Sequence, residues 1–359
     1  MPFVLQSNTY KVIGVMSGTS LDGVDICYCI FKKFKQKWQF EIVAAETIKY
    51  SDEWYVRLQN AHSLSAEGIT KLDFEYGHYL GQQISFFISK HRVDADFIAS
   101  HGHTIFHNPD NGYSLQIGKG AAIAAQTGLP CIADFRSGDV SRGGQGAPLV
   151  PVGDKHLFKD YDICLNLGGI ANLSYDSPAG KRLAYDICVC NMFLNHLASM
   201  AGFEFDQNGE LGRNGIVIDD FLNILESLSY YKKSSPKSLG KEWFEKNIIP
   251  LINNYHEEPI ENLLRTAYEH ISKRIAEDSK RLKKKNIFIT GGGAKNLFLT
   301  ELIKQKSNLD VIVPNEKIID FKEALIFGFL GVLFLEKEKG ALASVTGANE
   351  DSIAGCLYF

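Results

Sequence analysis

Hydroxyls, carboxylates and glycines crowd into one short stretch near the start of the chain, Gly18-Thr19-Ser20-Leu21-Asp22-Gly23-Val24-Asp25. A tight turn of this composition can hold phosphate oxygens on its N–H groups and on the Thr19 and Ser20 hydroxyls. A neighbouring carboxylate, Asp22 or Asp25, can hold Mg²⁺ through water. No Gly-Lys-Ser/Thr follows, so this is not the Walker pattern. A decorated β-hairpin explains the same residues equally well.

Four further groups could do chemistry. His101-Gly102-His103-Thr104-Ile105-Phe106-His107 places three histidines just past a strand expected over 96–100, where α/β sheets put ligands. No acidic partner stands at a fixed spacing, so substrate contact or hydrogen-bonded loop structure is favoured over a metal. Residues 134–149 hold Arg136, Arg142, Asp134 and Asp139 among four glycines. They read as a loop that grips an anionic ligand with arginine forks, or as a glycine-rich linker. Asp186 ends a strand expected over 182–185, just before a helix, and reads as a general base or as a helix N-cap. Gly291-Gly292-Gly293 lies between a strand and a helix, where backbone can approach a phosphate or a flat ligand closely.

The elements that must position these residues follow from hydrophobic period. Strands are expected at 12–15, 24–31 and 40–48, so the chain opens as a three-stranded meander. A second strand, glycine turn and strand runs through 163–167, Gly168-Gly169 and 170–175. This echo of the first unit suggests a duplicated architecture. Long helices are expected at 65–92, with Leu72, Tyr76, Leu80, Ile84 and Ile88 in one stripe, and at 259–282, with Leu263, Ala267, Ile271 and Ile275 in another. A further strand is expected at 286–290 and an apolar helix at 321–335, with Glu323 in its first turn. Residues 205–214 and 230–242 are polar and read as surface loops.

The 359 residues predict two domains or one large one. With 45% hydrophobic and 22% charged residues the composition is that of an ordinary globular enzyme. A net charge of −4 gives no basic footprint for nucleic acid. No apolar run is long enough for a membrane span, and the start lacks the pattern of a secretory signal. The seven cysteines are irregularly spaced. Cys27 and Cys29 share one strand face, and Cys188-Val189-Cys190 lacks zinc-knuckle spacing. Reduced thiols and a cytoplasmic location are therefore expected.

Several segments resemble, in order, the anhydro-N-acetylmuramic acid kinases of the sugar-kinase and actin superfamily. They are IGVMSGTSLDGVD at 13–25, SHGHTIFHNP at 100–109, ADFRSGDVSRGGQGAPLVP at 133–151, LNLGGIANLS at 165–174, PKSLGKEWF at 236–244, ITGGGAKNLFL at 289–299 and EALIFGFLG at 323–331. The resemblance implies an α/β, two-domain, duplicated βββαβαβα fold, actin-like and ribonuclease H-like, with ATP in an interdomain cleft. The domains would be 1–136 and 137–359, with room for the C-terminal tail to return to the first. It implies the reaction of 1,6-anhydro-N-acetylmuramate, ATP and water to N-acetylmuramate 6-phosphate and ADP, a step of peptidoglycan recycling. By position, Gly18 to Asp25 form the first phosphate loop, with Asp22 toward Mg²⁺. Gly168 and Gly169 lie near the second, and Gly291, Gly292, Gly293 and Asn296 near the nucleoside. His101, His103, Arg136, Asp139, Asn191 and Glu323 face the sugar, and Asp186 is the base. The expected partner is a small amino sugar, with no nucleic acid or membrane, and with room for a homodimer.

Two departures stand out. The family usually reads Asp-Thr-Gly-Pro-Gly-Asn where this chain reads Asp186-Ile187-Cys188-Val189-Cys190-Asn191, and it has glutamine where this chain has His103. Bulkier residues at 187–190 bear on loop shape and on substrate choice. Related kinases with another small substrate, and non-catalytic nucleotide binders, are the alternative readings.

Overall fold

The computed structural model describes residues 8–35 and 37–359. In chain order its strands are β1 (Thr9–Ser17), β2 (Val24–Phe34), β3 (Lys37–Ile48), β4 (Phe97–Asn108), β5 (Tyr113–Ile117), β6 (Cys131–Ala133), β7 (Ile163–Leu167), β8 (Ile170–Asp176), β9 (Arg182–Val189), β10 (Asn286–Thr290), β11 (Asp310–Ile312) and β12 (Cys356–Tyr358). The helices are α1 (Asp52–Gln59), α2 (Ala66–His91), α3 (Gly120–Thr127), α4 (Ser137–Val140), α5 (Val150–Leu157), α6 (Asn191–Met200), α7 (Glu210–Asn214), α8 (Asp219–Ser227), α9 (Lys241–Asn247), α10 (Ile249–Asn253), α11 (Ile260–Leu282), α12 (Leu297–Ser307), α13 (Glu316–Leu335) and α14 (Ala343–Thr346). They fall into two compact units. One is the chain up to Phe158 with Phe321–Phe359, and the other is Lys159–Asp320.

In the first unit β1, β2 and β3 form the expected antiparallel meander, and β4 and then β6 add in parallel on the other side of β1. β12 closes the edge antiparallel to β6, and β5 folds back on β4. Alternation sends Ile13 and Val15 of β1 to one face, where they bury against Leu72, Tyr76, Leu80 and Ile84 of α2. Ile88, expected in the same stripe, is only partly buried. Ser65 caps α2 by accepting the Gly68 N–H at 3.1 Å. On the other face α13 lies so close to β1 that a Cβ on Gly14 would sit 2.0 Å from the Ala324 carbonyl oxygen. Only glycine permits that approach.

In the second unit β7, β8 and β9 form a meander, with β10 and β11 added in parallel beside β7. The order β11-β10-β7-β8-β9 repeats the order β6-β4-β1-β2-β3 of the first sheet. The duplication expected from the two glycine turns is thus present as topology. Leu263, Ala267, Ile271 and Ile275 of α11 are all buried against this sheet's core.

Several expectations differ from the structure. β4 does not stop at residue 100. It runs to Asn108, because pairing with β5 keeps His103 to Asn108 extended. Residues 134–149 are not wholly loop, since α4 forms within them. Asp186 is not the end of its strand but lies inside β9, opposite Asn172 and beside a bulge. The division of the chain falls after Phe158 rather than after residue 136, and residues from Phe321 onward belong to the first unit. The physical ties are local to that unit. Asp139, buried, accepts the Gly146 N–H at 2.8 Å and the Thr346 hydroxyl at 2.8 Å.

Candidate active site

In the first unit, β1 ends at buried Ser17 and β2 begins at Val24, leaving Gly18 to Gly23 as the turn. Thr19, Ser20 and Asp22 are exposed. Leu21 takes a left-handed backbone, φ 61°, and packs its side chain toward the unit's core. That conformation costs an L residue roughly 1–2 kcal/mol, so the core contact holds the turn in a fixed shape. The two glycines differ in kind. A Cβ on Gly23, φ 151°, would lie 2.5 Å from the Ile48 carbonyl oxygen, whereas on Gly18 its nearest neighbour is Ser20 Oγ at 3.4 Å. The fold requires glycine at 23. At 18 nothing in the protein does, which leaves room for a ligand to approach the backbone.

Asp25 accepts a hydrogen bond from Thr47 Oγ1 at 2.6 Å. Glu323 keeps an exposed side chain, yet the protein massed around it pushes its carboxyl up; Arg136 opposes that push and Asp25 adds to it. Arg136 donates through Nε and Nη2 to His101 Nε2 at 3.0 and 2.9 Å, and through Nη1 to the Gly146 carbonyl at 2.6 Å. His101 therefore carries its proton on Nδ1, which donates to the Gly102 carbonyl at 2.9 Å. Burial, then the Arg136 charge, hold that imidazole neutral. Burial lowers Arg136 to about 10, with Glu323 opposing, so the guanidinium stays charged near neutral pH. Asp139, expected to face a ligand, has both carboxylate oxygens engaged inside the fold and orients the Arg136 loop instead.

In the second unit the β7–β8 turn is Gly168-Gly169. Its carbonyls accept the N–H groups of Cys190, Asn191 and Met192 at 2.8, 3.1 and 3.1 Å. The N-terminus of α6 is thus spent on holding this turn. A Cβ on Gly168 or Gly169 would meet nothing nearer than 3.2 Å, so the turn's outer side is open.

Asp186 is half-buried. Its Oδ2 accepts the Leu239 N–H at 2.8 Å, and its main chain donates to the Lys237 carbonyl at 3.1 Å and accepts the Tyr230 hydroxyl at 2.7 Å. Oδ1 has no hydrogen-bond partner among the described residues. Burial raises the carboxyl above the usual aspartate value, and the Leu239 N–H opposes this. The N-cap alternative falls, since the cap position of α6 is Cys190, with no side-chain hydrogen bond. Leu239 and Tyr230 come from a stretch read as surface loop, and no local pattern singles them out.

A cavity of about 410 Å³ opens beside Gly292, lined among others by Asn191, Leu194, Phe205, Asp206 and Tyr268. Asp206 was hidden in the other polar stretch read as surface. It is 4% exposed and accepts the N–H groups of Leu211 and Gly212 and the Tyr268 hydroxyl at 2.9, 3.0 and 3.1 Å. The glycines at 209 and 212, which let backbone crowd around it, were the available signal. Asn296 caps α12 through the Leu299 N–H at 3.0 Å and donates to Tyr268 Oη at 2.8 Å. Asn191 donates to the Leu167 carbonyl at 2.9 Å. Both amides therefore shape the cavity wall with their polar groups already engaged. Gly291 has φ 82°, and a Cβ there would lie 2.6 Å from Asn166 Oδ1, while one on Gly292 would meet only Asn191 Nδ2 at 3.7 Å. Gly292 is the glycine left open to a ligand.

The sequence pattern of one family, described as anhydro-N-acetylmuramic acid kinase, matches residues 10–359. The chain belongs to the anhydro-N-acetylmuramic acid kinase family. A protein of that name from Francisella tularensis subsp. novicida is 31% identical over 97% of this chain and 98% of its own. One from Vibrio vulnificus is 31% identical over 96% and 97%. Among solved structures, a ROK family glucokinase from Streptomyces griseus in complex with glucose and AMPPNP aligns with a TM-score of 0.41 at 11% identity, covering 89% of this chain and 98% of that one. No helix of the described residues is long and apolar enough to cross a membrane.

Against the family's usual Asp-Thr-Gly-Pro-Gly-Asn, the residues Ile187, Cys188, Val189 and Cys190 are at most 1% exposed. Ile187, Cys188 and Val189 carry β9 on to its end, Cys190 stands at the cap position of α6, and all four belong to the second unit's core. Burial pushes both thiols up, and the described residues contain no group of three or more metal-ligating side chains.

Proposed function

We propose that this chain is an ATP-dependent kinase that opens and phosphorylates 1,6-anhydro-N-acetylmuramate. The observation that carries the reading is the state of Asp186. One carboxylate oxygen is fixed by the Leu239 N–H and the other is left to take a proton. In the proposed reaction Oδ1 of Asp186 removes a proton from water as that water adds to the anomeric carbon. The bond from the anomeric carbon to O6 breaks, O6 takes the γ-phosphoryl group, and ADP leaves. A positioned carboxylate supplies about 10²–10⁴-fold in such a step. A pKa raised by burial makes this carboxylate a stronger base than an ordinary aspartate.

Each unit offers openings of its own: in the first the Gly18–Asp25 turn would hold phosphate oxygens, and in the second the Gly168–Gly169 turn would hold phosphate and the cavity beside Gly292 the nucleoside. His101 and Arg136, locked together, would present one fixed positive charge to the anionic sugar. The oxygen donors of the first turn suit a hard cation that keeps most of its waters, and exposed Asp22 would hold Mg²⁺, which when bound neutralises charge on the transferring phosphoryl group. Seven free cysteines fit a reducing cytoplasm as the place of action.

The deciding experiment is coupled ADP release with 1,6-anhydro-N-acetylmuramate set against simple hexoses. Turnover is expected with the anhydro sugar and not with the hexoses. Preference for a hexose would move the chain to the related-kinase reading, and ATP binding without turnover on any sugar would move it to a nucleotide binder.

A further inference from the structure

β1 ends in a closed ring of hydroxyls, and counting protons around that ring sets the state of His103. Ser17 Oγ lies 2.6 Å from Tyr50 Oη, and Tyr50 Oη lies 2.6 Å from Tyr76 Oη. Tyr76 donates back to Ser17 Oγ at 2.9 Å. A fourth contact, 3.0 Å, joins Ser17 Oγ to Nδ1 of His103. Three oxygen–oxygen contacts need three protons, and the three hydroxyls carry three. With Tyr76 donating to Ser17, Ser17 donates to Tyr50 and Tyr50 to Tyr76. No hydroxyl proton remains for His103, so Nδ1 bears its own hydrogen and donates it. Ser17 then accepts twice and donates once, which is all a hydroxyl can do.

A neutral imidazole has a single N–H, so Nε2 of His103 is a bare lone pair. Burial keeps the ring neutral, with a pKa lowered to about 4. The side chain is 3% exposed, and Nε2 has no partner among the described residues and is not sealed in. His103 pairs across the sheet with Ser17, the residue before Gly18. The lone pair therefore stands at the carboxyl end of β1, where sheets of this class receive ligands.

We propose that Nε2 of His103 accepts a hydrogen bond from a hydroxyl of the sugar substrate, and that the hydroxyl ring holds it in the tautomer that can do so. Only the identity of the donor molecule rests on the functional reading above. The same lone pair repels phosphate and carboxylate oxygens, so the position selects a hydroxyl and turns away the anionic groups of both substrates. The family's usual glutamine can offer either a donor or an acceptor here; this chain offers an acceptor alone.

The test is nitrogen-15 NMR of the His103 ring in the full chain, first alone and then with 1,6-anhydro-N-acetylmuramate and no ATP. The free protein is expected to show the Nδ1–H tautomer, and the sugar to shift the unprotonated Nε2 resonance in the direction of a hydrogen-bond acceptor. His103→Leu is expected to raise the sugar KM roughly 10- to 100-fold with the ATP KM within about twofold, and His103→Gln to lose less. Tyr50→Phe removes one oxygen from the ring and frees the Ser17 proton for Nδ1. The Nε2–H tautomer should then appear, and the sugar KM should rise. An Nε2–H tautomer in the free parent overturns the proposal. So does a Tyr50→Phe protein that matches the parent in both spectrum and sugar KM. If the sugar turns over but leaves Nε2 unshifted, the His103 assignment alone falls. If the sugar neither binds nor turns over, the functional reading falls and takes the named ligand with it.

Discussion

Oδ2 of Asp186 accepts the backbone N–H of Leu239 at 2.8 Å, across a separation of 53 residues. A donor fixed in the main chain cannot rotate away, so the carboxylate keeps one orientation whether or not it is protonated. Asp186→Asn is expected to leave ATP affinity nearly unchanged and to lower kcat at least about 10²-fold, the scale of a lost general base. In the parent, activity requires the deprotonated form and is lost as pH falls through the carboxyl's pKa. Burial raises that pKa, so the acid limb of the kcat profile should lie closer to neutrality than an ordinary aspartate would place it. A mutant with parental turnover would reduce Asp186 to a structural residue.

The two glycines of the first turn should separate binding from folding. Gly18→Val meets no close neighbour, so its melting temperature should stay near the parent's while ATP affinity is lost. Gly23→Ala forces a clash with the Ile48 carbonyl and a strained backbone, and should destabilise the fold by roughly 1–3 kcal/mol. Calorimetric titration with ATP beside thermal denaturation reads both. Unchanged ATP affinity in folded Gly18→Val would remove the turn from the phosphate site.

Cys188 and Cys190 are buried in the second unit's core. The double variant Cys188→Ala, Cys190→Ala should retain measurable kinase activity, lose about 1–3 kcal/mol of stability to the vacated volume, and contain no stoichiometric zinc before or after the change. One equivalent of zinc, lost together with activity in the double variant, would overturn this account of the segment.

Asp139 should matter through the fold. Asp139→Ala strands the buried Gly146 N–H and leaves the Thr346 hydroxyl only its longer contact to the Leu342 carbonyl at 3.3 Å, and is expected to cost roughly 1–3 kcal/mol in chemical denaturation. Thr346→Val removes one donor and should cost about 1 kcal/mol. Equal stability of Asp139→Ala and parent, with activity alone lost, would return Asp139 to the ligand.

His103 predicts a slope in stability against pH. Its folded pKa, about 4, lies below the unfolded value near 6.5. Between these values the unfolded chain binds more protons, so folding stability from this residue is full above pH 6.5 and is lost as pH falls toward 4. The loss is about 3 kcal/mol in magnitude. His103→Gln should flatten the denaturation free energy over that window; an unaltered slope would mean the ring is not held neutral by the fold.

Much of this architecture was legible in residue order. The two strand-turn-strand units announced themselves because glycine interrupts apolar runs, and α2 and α11 because their buried residues recur every four positions. β4 beyond residue 100 was not legible, since Gly102 and the histidines around it interrupt the strand signal, and His103 to Asn108 are kept extended by pairing with β5. The surroundings of Asp186 were hidden for a related reason. Leu239 contributes only its N–H, which any residue but proline possesses, so no side-chain pattern marks it. Asp206 was masked by polar neighbours that are exposed, although it is itself buried. The hydroxyl ring was invisible because Ser17, Tyr50, Tyr76 and His103 come from separate elements and meet only when the sheet and α2 are assembled.

The edge strand β12 has a consequence for the order of events on the ribosome. The sheet of the second unit is composed wholly of residues between Lys159 and Asp320, so all of its strands have been translated once residue 320 has been added. The first unit, whose meander is synthesised at the outset, must wait for Thr346 to reach Asp139 and for Cys356–Tyr358 to cover β6. The unit begun first is therefore the unit completed last, and until then β6 is an uncovered edge of its sheet, open to pairing with other strands.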